Sequence, residues 1–236
     1  MNKALLNRRL RQLHLWLGLA IGAQVGLWLI SGLFMTWFPI ETVRGEHLRA
    51  EQQAPEVVWS YYNVDLAAAV GMIEQPVTEA TATVVNNKPV WRLRTVGQTH
   101  LVDAGSGQII SPLKESTAKS IAFLSYAGSG QIISATLLED PPQEYGRPGP
   151  VWQVNFNAPD KATFYVDAQT GEVRAVRTLL WRTFDFMWGL HIMDWSSREN
   201  FNSWWIKMTA SLAVIFFLAG LGLAMLRLVG ILSRRD

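Results

Sequence analysis

The sequence predicts an α+β membrane protein in which two transmembrane helices flank an extracytoplasmic pair of helix-plus-antiparallel-sheet units. Three observations predict this class: two long apolar runs near the ends of the chain, an internal repeat between them, and an unusual composition. Only 17% of the 236 residues are charged, and 11 are tryptophans. Tryptophan concentrates where an apolar environment meets water, which is the situation at a membrane surface.

The first element is a cytoplasmic N-terminus followed by a transmembrane helix, over residues 1–40. From Gln12 to Ile40 the only ionisable side chain is His14. This run exceeds the roughly 20 apolar residues that cross a bilayer. A cleaved signal peptide is the alternative, but its apolar region is only about 7–15 residues long. We therefore expect the first helix to stay in the mature protein.

The second transmembrane helix is expected over residues 204–228, with a cytoplasmic tail at residues 229–236. Met208 to Leu226 carries no charge, and Trp204 and Trp205 precede it. Basic residues lie before the first run and after the second, which predicts that both termini are cytoplasmic. Residues 41–203 are then periplasmic and the membrane is the bacterial inner membrane. Positive charge that flanks apolar runs predicts contact with the lipid bilayer and no nucleic-acid binding.

The region between the spans reads as a linker, residues 41–58, and two copies of one unit, residues 59–113 and 114–177. The segment Pro89-Val-Trp91 recurs as Pro150-Val-Trp152. In each copy we expect a helix (about 64–74 and 115–126), then a strand (77–85 and 131–138), then the Pro-Val-Trp strand. A pair of strands around a turn should close each copy, giving a small antiparallel sheet with one helix on its buried face.

The closing turn has the same form in both copies. Leu101-Val-Asp-Ala-Gly-Ser-Gly-Gln-Ile109 recurs as Tyr165-Val-Asp-Ala-Gln-Thr-Gly-Glu-Val173. We expect Asp103 and Asp167 to bond their own backbone, and Gly107 and Gly171 to adopt a positive φ that ends the turn.

These patterns resemble a known family. The order helix, strand, strand ending in Tyr165–Val173 resembles a PepSY domain, present twice. Arg9-Leu-Arg-Gln-Leu-His14-Leu-Trp-Leu-Gly18 is similar to the opening motif of PepSY-associated transmembrane proteins. Phe184-Asp-Phe-Met-Trp-Gly-Leu-His-Ile-Met-Asp194 looks like the segment that follows the second PepSY unit in short, two-helix members. The chain therefore resembles such a short member with tandem PepSY units.

Two of the four histidines stand out. His14 lies at the cytoplasmic entry of the first span, and Gly18 lies one turn further on the same face. The glycine leaves room for a flat macrocycle beside the imidazole or for a second helix. Ionisable groups in membrane segments are often functional, but a histidine at the headgroup level without a ligand fits the sequence as well. His100 is expected to be a solvated strand residue and His47 a linker residue.

His191 lies on a predicted amphipathic interfacial helix, about Thr178 to Asp194, within a helix-and-connector segment at residues 178–203. Phe184, Met187 and Trp188 share its apolar face. A neutral imidazole there needs a bonding partner. An axial ligand role would supply one, and Asp194, one turn on, is the alternative partner.

The resemblance implies a cofactor. Larger PepSY-associated membrane proteins include haem b ferrisiderophore reductases, so His14 and His191 are implied as axial ligands of haem iron. The two histidines lie at opposite sides of the bilayer and cannot share one iron. Ligation by two histidines would need a homodimer or a partner membrane subunit.

Two functions stay open at this point. The first is an inner-membrane electron-transfer protein with b-type haem that passes electrons to a periplasmic acceptor such as a ferric siderophore. The second is a membrane-anchored periplasmic PepSY module that binds or inhibits a protein partner and needs no cofactor. The chain has no cysteine, which excludes disulfides, zinc–thiolate sites and iron–sulfur clusters. No hydrolase or nucleotide-binding motif is visible.

Overall fold

The computed structural model describes residues 3–51 and 56–232; the side chains of residues 3–11, 13, 14, 223, 226, 227 and 229–232 are not described. The chain divides into two compact units. The helical unit comprises Met1–Phe38 and Thr183–Asp236, and the sheet unit comprises Pro39–Arg182. The helices are α1 (Lys3–Trp37), α2 (Ile40–Val43), α3 (Leu66–Gly71), α4 (Glu115–Leu124), α5 (Leu179–Ile192) and α6 (Trp204–Leu232). The strands are β1 (Glu79–Val85), β2 (Lys88–Arg94), β3 (Thr99–Asp103), β4 (Gln131–Leu138), β5 (Val151–Asn157), β6 (Thr163–Asp167) and β7 (Val173–Arg177).

The helical unit contains two helices that are long and apolar enough to cross a membrane. The qualifying stretches are Leu15–Trp37, with 23 residues, and Trp204–Gly222, with 19 residues. Only 6% and 0% of these stretches are buried inside the structure, so they are not core helices of this chain. Helix α1 ends at Trp37 rather than at Ile40 because Pro39 lacks the N–H that a continuing helix needs and restricts the residue before it. The chain then starts the short helix α2 at Ile40.

The sheet unit contains two antiparallel sheets, in the strand orders β1-β2-β3 and β4-β5-β6-β7. The first sheet and helix α3 form the first repeat, which corresponds to the predicted unit at residues 59–113. The second sheet and helix α4 form the second repeat, at residues 114–177. Helix α3 is shorter than the sequence indicates: Asp65 caps its N-terminus by accepting a hydrogen bond from Ala68 N at 2.7 Å, and Gly71 is its last residue.

The internal repeat predicted from Pro-Val-Trp is confirmed by matching hydrogen bonds. In the first repeat Trp91 Nε1 donates to the carbonyl of Val64 at 2.8 Å, just before helix α3. In the second repeat Trp152 Nε1 donates to the carbonyl of Leu113 at 2.9 Å, just before helix α4. Each indole therefore ties the second strand of its sheet to the start of its helix. One tryptophan per repeat, buried Trp91 and partly buried Trp152, makes this contact.

The two closing turns are also confirmed. Asp103 Oδ1 accepts hydrogen bonds from the amides of Gly105 and Ser106, each at 2.9 Å. Asp167 Oδ1 accepts from the amides two and three positions further on, at 2.9 and 2.8 Å. Gly107 has φ +76° and Gly171 has φ +73°, the left-handed conformation that glycine adopts without a steric penalty.

The first repeat departs from prediction after its turn. A second strand was expected there, but only an isolated bridge between Val102 and Ile109 forms. The hydroxyl of Ser111 accepts the amide hydrogen of Leu101 at 2.9 Å and so replaces a ladder bond. The next residue is proline, which has no N–H to donate. The segment leaves the sheet edge at this point and leads to helix α4.

One hydrophobic core joins the two repeats. Its buried side chains come from the first sheet (Val85, Val90, Leu101) and from the second (Val154, Phe156, Phe164, Val166), with Leu113 and Ile121 between them. Gly171 lies at the junction: a Cβ added there would be 2.8 Å from Val85 Cγ1. The closing turn of the second repeat therefore packs directly against the end of strand β1. The two repeats form a single folded body.

Candidate functional site

The first candidate site is His191 in the helical unit, and its partner lies on α1. His191 Nδ1 is 3.0 Å from Ser31 Oγ. The Ser31 side chain is fully buried, and its hydroxyl donates to the carbonyl of Leu27 at 2.7 Å. With this hydrogen directed at Leu27, the Ser31 oxygen accepts from His191 in the tautomer that is protonated at Nδ1. In that tautomer Nε2 carries the lone pair, and within the described part of the chain it makes no hydrogen bond.

The expected alternative partner of His191, Asp194, is engaged elsewhere. Its carboxylate accepts hydrogen bonds from the amides of Ser196, Ser197, Glu199 and Asn200. The hydroxyl of Ser197 donates to it at 2.6 Å. Hydrogen bonding, led by Ser197, holds the pKa of Asp194 well below its ordinary value. The connector thus folds around Asp194, and the polar contact of His191 is with Ser31 on α1.

Contacts along α5 fix the position of His191. Arg198 donates to the carboxylate of Asp185, and Trp188 Nε1 donates to the Arg198 carbonyl at 2.9 Å. A Cβ added at Gly32 would lie 3.5 Å from His191 Cε1, which is an ordinary contact. The edge of the ring that carries Nδ1 and Cε1 therefore faces α1.

Helix α1 carries a polar stripe, defined here as Gln24, Trp28 and Ser31, at the spacing i, i+4, i+7 that places residues on one helix face. Gln24 Nε2 and Trp28 Nε1 are buried and have no hydrogen-bond acceptor among the residues that the structure describes. Buried donors of this kind are costly in an apolar setting. The sequence interpretation concentrated on His14 and did not single out this stripe. The signal that could have revealed it is the set of polar residues inside an otherwise apolar run.

His14 lies on helix α1, but its side chain is outside the described part of the structure. Its backbone position precedes Ser31 by 17 residues, which at about 1.5 Å per residue is about 26 Å along the helix. The structure therefore does not bring His14 and His191 together. This agrees with the expectation that they cannot bind one iron.

The donor chemistry of His191 was compared with that of an axial haem ligand. Such a ligand binds iron through one nitrogen while its other N–H is held by a protein acceptor. His191 has this arrangement in the tautomer that is protonated at Nδ1, which places Nδ1–H on Ser31 and leaves Nε2 without a hydrogen bond. The residues fit a haem in this respect only, because one imidazole supplies one ligand. No group of three or more His, Asp or Glu side chains that could hold a metal ion is present among the described residues.

Of the two remaining histidines, His47 and His100, only His100 differs in its exposure from the prediction. His100 was expected to be solvated, but its ring is half-buried. Its Nε2 has no hydrogen-bond partner in the described ranges. The reason is its strand register opposite Leu93, which is fully buried. His47 is exposed, as expected for the linker.

The second candidate site is the inter-repeat cleft, an open cleft of about 910 Å³ in the sheet unit. The β1–β2 hairpin of the first repeat forms one wall, and helix α4 with the closing turn of the second repeat forms the other. Arg49 and Val58 of the linker and Tyr61 of the first repeat also line the cleft. Apolar side chains line much of it, among them Val85, Ile121, Leu124 and Val173. A cleft of this size with a few polar groups is typical of a binding site.

Four charged side chains line the cleft: Arg49, Arg92, Glu56 and Glu172. Arg92 pairs with Glu172 at 2.8 Å, and Arg174 pairs with the other oxygen of Glu172 at 2.9 Å. Arg49 donates to the carbonyl of Val173 at 3.1 Å. Burial lowers the pKa of Arg49, and the nearby Glu46 partly offsets this. Arg92 Nε is buried without an acceptor among the described residues.

A third cluster surrounds Glu144 and is fully paired. Its carboxylate accepts hydrogen bonds from Arg182 at 2.9 and 3.0 Å and from the Tyr165 hydroxyl at 2.5 Å. Burial raises the pKa of Glu144, but the hydrogen bonds from Arg182 and Tyr165 outweigh it, so this pKa lies below its ordinary value. Burial and the same carboxylate raise the pKa of Tyr165. The cluster ties β6 to the start of α5.

Comparison with known families identifies the second repeat. Residues 112–177 match the family described as "PepSY: Peptidase propeptide and YPEB domain". This segment is a PepSY domain. It contains helix α4, the four-stranded sheet and the Asp167 turn, which are the elements on which the resemblance was based. The first repeat lies outside the matched residues, although it shares the strand order, the tryptophan bond and the closing turn of the PepSY domain.

The PepSY domain follows an apolar N-terminal helix and precedes a second one, an order consistent with a PepSY-associated membrane protein. Comparisons with curated proteins and with solved structures found no match.

Proposed function

We propose that this chain is an inner-membrane protein that holds a two-repeat PepSY module in the periplasm, where the module binds a protein partner. In this arrangement α1 and α6 cross the bilayer, both termini are cytoplasmic, and residues 41–203 are periplasmic. The basic residues outside the two apolar runs support that orientation. The exposed apolar side chains of both helices support their contact with lipid.

The observation that carries this proposal is the shared core of the PepSY domain and the first repeat. A core cluster with side chains of both repeats makes them one folded body, inserted in the chain between two apolar helices. Rigid bodies bind partners with little loss of conformational entropy. The outer strands β1 and β4 each have one unpaired edge within their sheets, and such edges accept added peptide strands.

The orientation is tested by single-cysteine labelling, for which the chain is well suited because it has no cysteine of its own. Ser106→Cys places a thiol in the exposed closing turn of the first repeat. Ser233→Cys places one beyond the second apolar helix. In cells with a permeable outer membrane, a maleimide that cannot cross the inner membrane should label Ser106→Cys at once. It should label Ser233→Cys only after lysis. The reverse pattern would reject the proposed topology.

One observation favours a second function, electron transfer through a b-type haem. His191 Nδ1 is hydrogen-bonded to the buried hydroxyl of Ser31, and Nε2 makes no hydrogen bond among the described residues. In this hypothesis His191 binds the iron, Ser31 orients the ring, and a second copy or a partner membrane subunit completes the ligand set. A bound haem would supply one-electron chemistry. His14 is the corresponding candidate on the cytoplasmic side, and a ferric siderophore in the periplasm is the proposed acceptor.

The haem hypothesis is tested by the visible spectrum of protein purified in detergent from haem-replete cells. The dithionite-reduced protein should show a sharp α-band. His191→Ala should reduce or abolish the band, and Ser31→Ala should broaden it while retaining haem, because the ring loses its orienting bond. His47→Ala, an exposed linker histidine, is the matched control. A colourless wild-type protein would reject haem binding and leave the binding module as the function.

A further inference from the structure

We propose that the connector between α5 and α6, residues 193–203, binds the lipid headgroup region of the periplasmic leaflet through an aromatic anchor. The aromatic anchor is defined as Trp195, Phe201, Trp204 and Trp205. This inference rests on the proposed function, in which α6 crosses the bilayer, and it extends the lipid contact from the span into the connector. Three features support it: the exposure of the rings, the backbone that brings them together, and the charges around them.

The rings of the aromatic anchor are all more than half exposed. The exposed fractions are 62% for Trp195, 58% for Phe201, 59% for Trp204 and 52% for Trp205. Trp204 and Trp205 stack on each other, with their ring centroids 3.7 Å apart. Leaving such rings in water forgoes about 25 cal/mol of burial free energy per Å². Tryptophan is enriched at membrane–water interfaces, so a lipid headgroup region suits this surface better than water does.

The fold of the connector brings the anchor residues to the start of α6. Phe201 precedes Trp204 by three residues, which limits their separation to about 11 Å along the chain. Trp195 is further away in sequence, but its neighbour Asp194 accepts a hydrogen bond from the amide of Asn200 at 3.0 Å. This bond folds the chain back, so that residue 195 lies beside the residues that lead into Phe201. The four rings therefore belong to one surface that continues the exposed face of α6.

The charged groups of this region favour headgroup depth over the hydrocarbon core. Arg198 is paired with Asp185, and the carboxylate of Asp194 is occupied by the amides and hydroxyls of the connector. Glu199 and Lys207 are exposed. Exposed charges of this kind are costly in hydrocarbon but not at the polar boundary of the bilayer. The aromatic anchor is therefore placed among the headgroups and not deeper.

The test uses the full-length chain in vesicles of phosphatidylethanolamine and phosphatidylglycerol, with a nitrobenzoxadiazole label on one introduced cysteine, since the chain has none of its own. Trp195→Cys and Phe201→Cys report on the anchor, and Val214→Cys, which is exposed in the middle of the α6 span, reports on the hydrocarbon core. A lipid with a spin label on its headgroup should quench both anchor labels at least twice as strongly as a lipid spin-labelled at the twelfth acyl carbon. Val214→Cys should show the reverse ratio. Aqueous iodide should quench a label at Ser106→Cys, in the exposed turn of the first repeat, more strongly than either anchor label.

Asp194→Ala tests whether the fold of the connector carries Trp195 to the membrane. Without the carboxylate that holds residue 195 beside Asn200, headgroup quenching of the Trp195→Cys label should fall at least twofold. The Phe201→Cys label is close to α6 in the chain, so it should keep its value and shows that the variant is still folded and inserted. Asp65→Ala, which removes the cap of α3 in the sheet unit, is the matched control and should change neither label.

The deep label separates failure of this inference from failure of the proposed function. Anchor labels that neither spin-labelled lipid quenches, in a chain whose Val214→Cys label is quenched, would overturn the inference and leave the proposed topology intact. Shielding of the anchor labels from both lipids and iodide would mean that a second copy or another protein covers the rings, and would also overturn it. Unchanged quenching at Trp195→Cys after Asp194→Ala would reject the placement of Trp195 by the connector fold. A Val214→Cys label that no lipid quenches would reject membrane insertion and, with it, the proposed function.

Discussion

Ser31 holds the Nδ1 edge of the His191 ring against α1. Its hydroxyl is buried and donates to the Leu27 carbonyl, so its oxygen can accept from Nδ1–H. In the haem hypothesis this contact orients the ring, and Ser31→Ala tests it.

Glu144 gives a pH-dependent prediction at the same scale. Folding lowers the pKa of the Glu144 carboxyl from its ordinary value of 4.5. Glu144 therefore stabilises the folded state at pH values above 4.5, and this stabilisation is lost as the pH falls below 4.5. Glu144→Gln should destabilise the sheet unit by about 1–3 kcal/mol at pH 7. The difference from wild type should shrink at pH 3.

Thermal unfolding of the detergent-solubilised chain, followed by near-ultraviolet circular dichroism, measures this effect. Glu115→Gln is the matched control, since Glu115 is exposed and, among the residues that the structure describes, its ion pair is with Lys119 four residues on. It should change stability by less than about 0.5 kcal/mol. A stability difference for Glu144→Gln that is the same at both pH values would contradict the assignment.

At the scale of elements, the two closing turns have the same backbone but different surroundings. Gly107 and Gly171 both have a positive φ. A Cβ at Gly107 would meet the flexible Met72 side chain at 3.0 Å, whereas a Cβ at Gly171 would meet Val85 at 2.8 Å inside the shared core. Position 171 therefore needs glycine for two reasons: its backbone has a positive φ, and there is no space for a Cβ beside Val85. It is the contact through which the PepSY domain joins the first repeat.

Replacing each glycine separates these two requirements. Gly107→Ala should cost about 1–2 kcal/mol, from the left-handed backbone alone. Gly171→Ala should cost about 1–3 kcal/mol more, because it also overpacks the core. Chemical denaturation of both variants under identical conditions gives the comparison. Equal costs would mean that the turn of the second repeat does not pack against β1 as described.

The sequence predicts local elements well and distant pairs poorly. Strands such as β2 and β5 follow from alternation and from Pro-Val-Trp, and the turns follow from aspartate and glycine spacing. The contact between Ser31 and His191 joins residues 160 positions apart, and no local pattern encodes it. The missing strand after Ile109 was not predicted either. There the amide of Leu101 donates to the Ser111 side chain instead of to the backbone carbonyl of a neighbouring strand. The inter-repeat cleft depends on the packing of three separate segments and was not predicted.

At the scale of the whole molecule, the chain combines a sheet unit with one shared core and a helical unit with almost wholly exposed apolar helices. The PepSY domain occupies residues 112–177 of the sheet unit. A folded module between two apolar helices is compatible with the proposed membrane-held binding module. The central claim is that this module contacts a partner outside the cytoplasm.

Photo-cross-linking in living cells tests this claim most directly. Benzoylphenylalanine is introduced one position at a time at exposed sites of the sheet unit, including Leu124, Phe123, Ile133 and Val96. The account predicts that irradiation produces an adduct of one discrete mass from a contiguous group of positions that includes Leu124. An absence of discrete adducts from every exposed position, with the protein present in the membrane at normal levels, would contradict it.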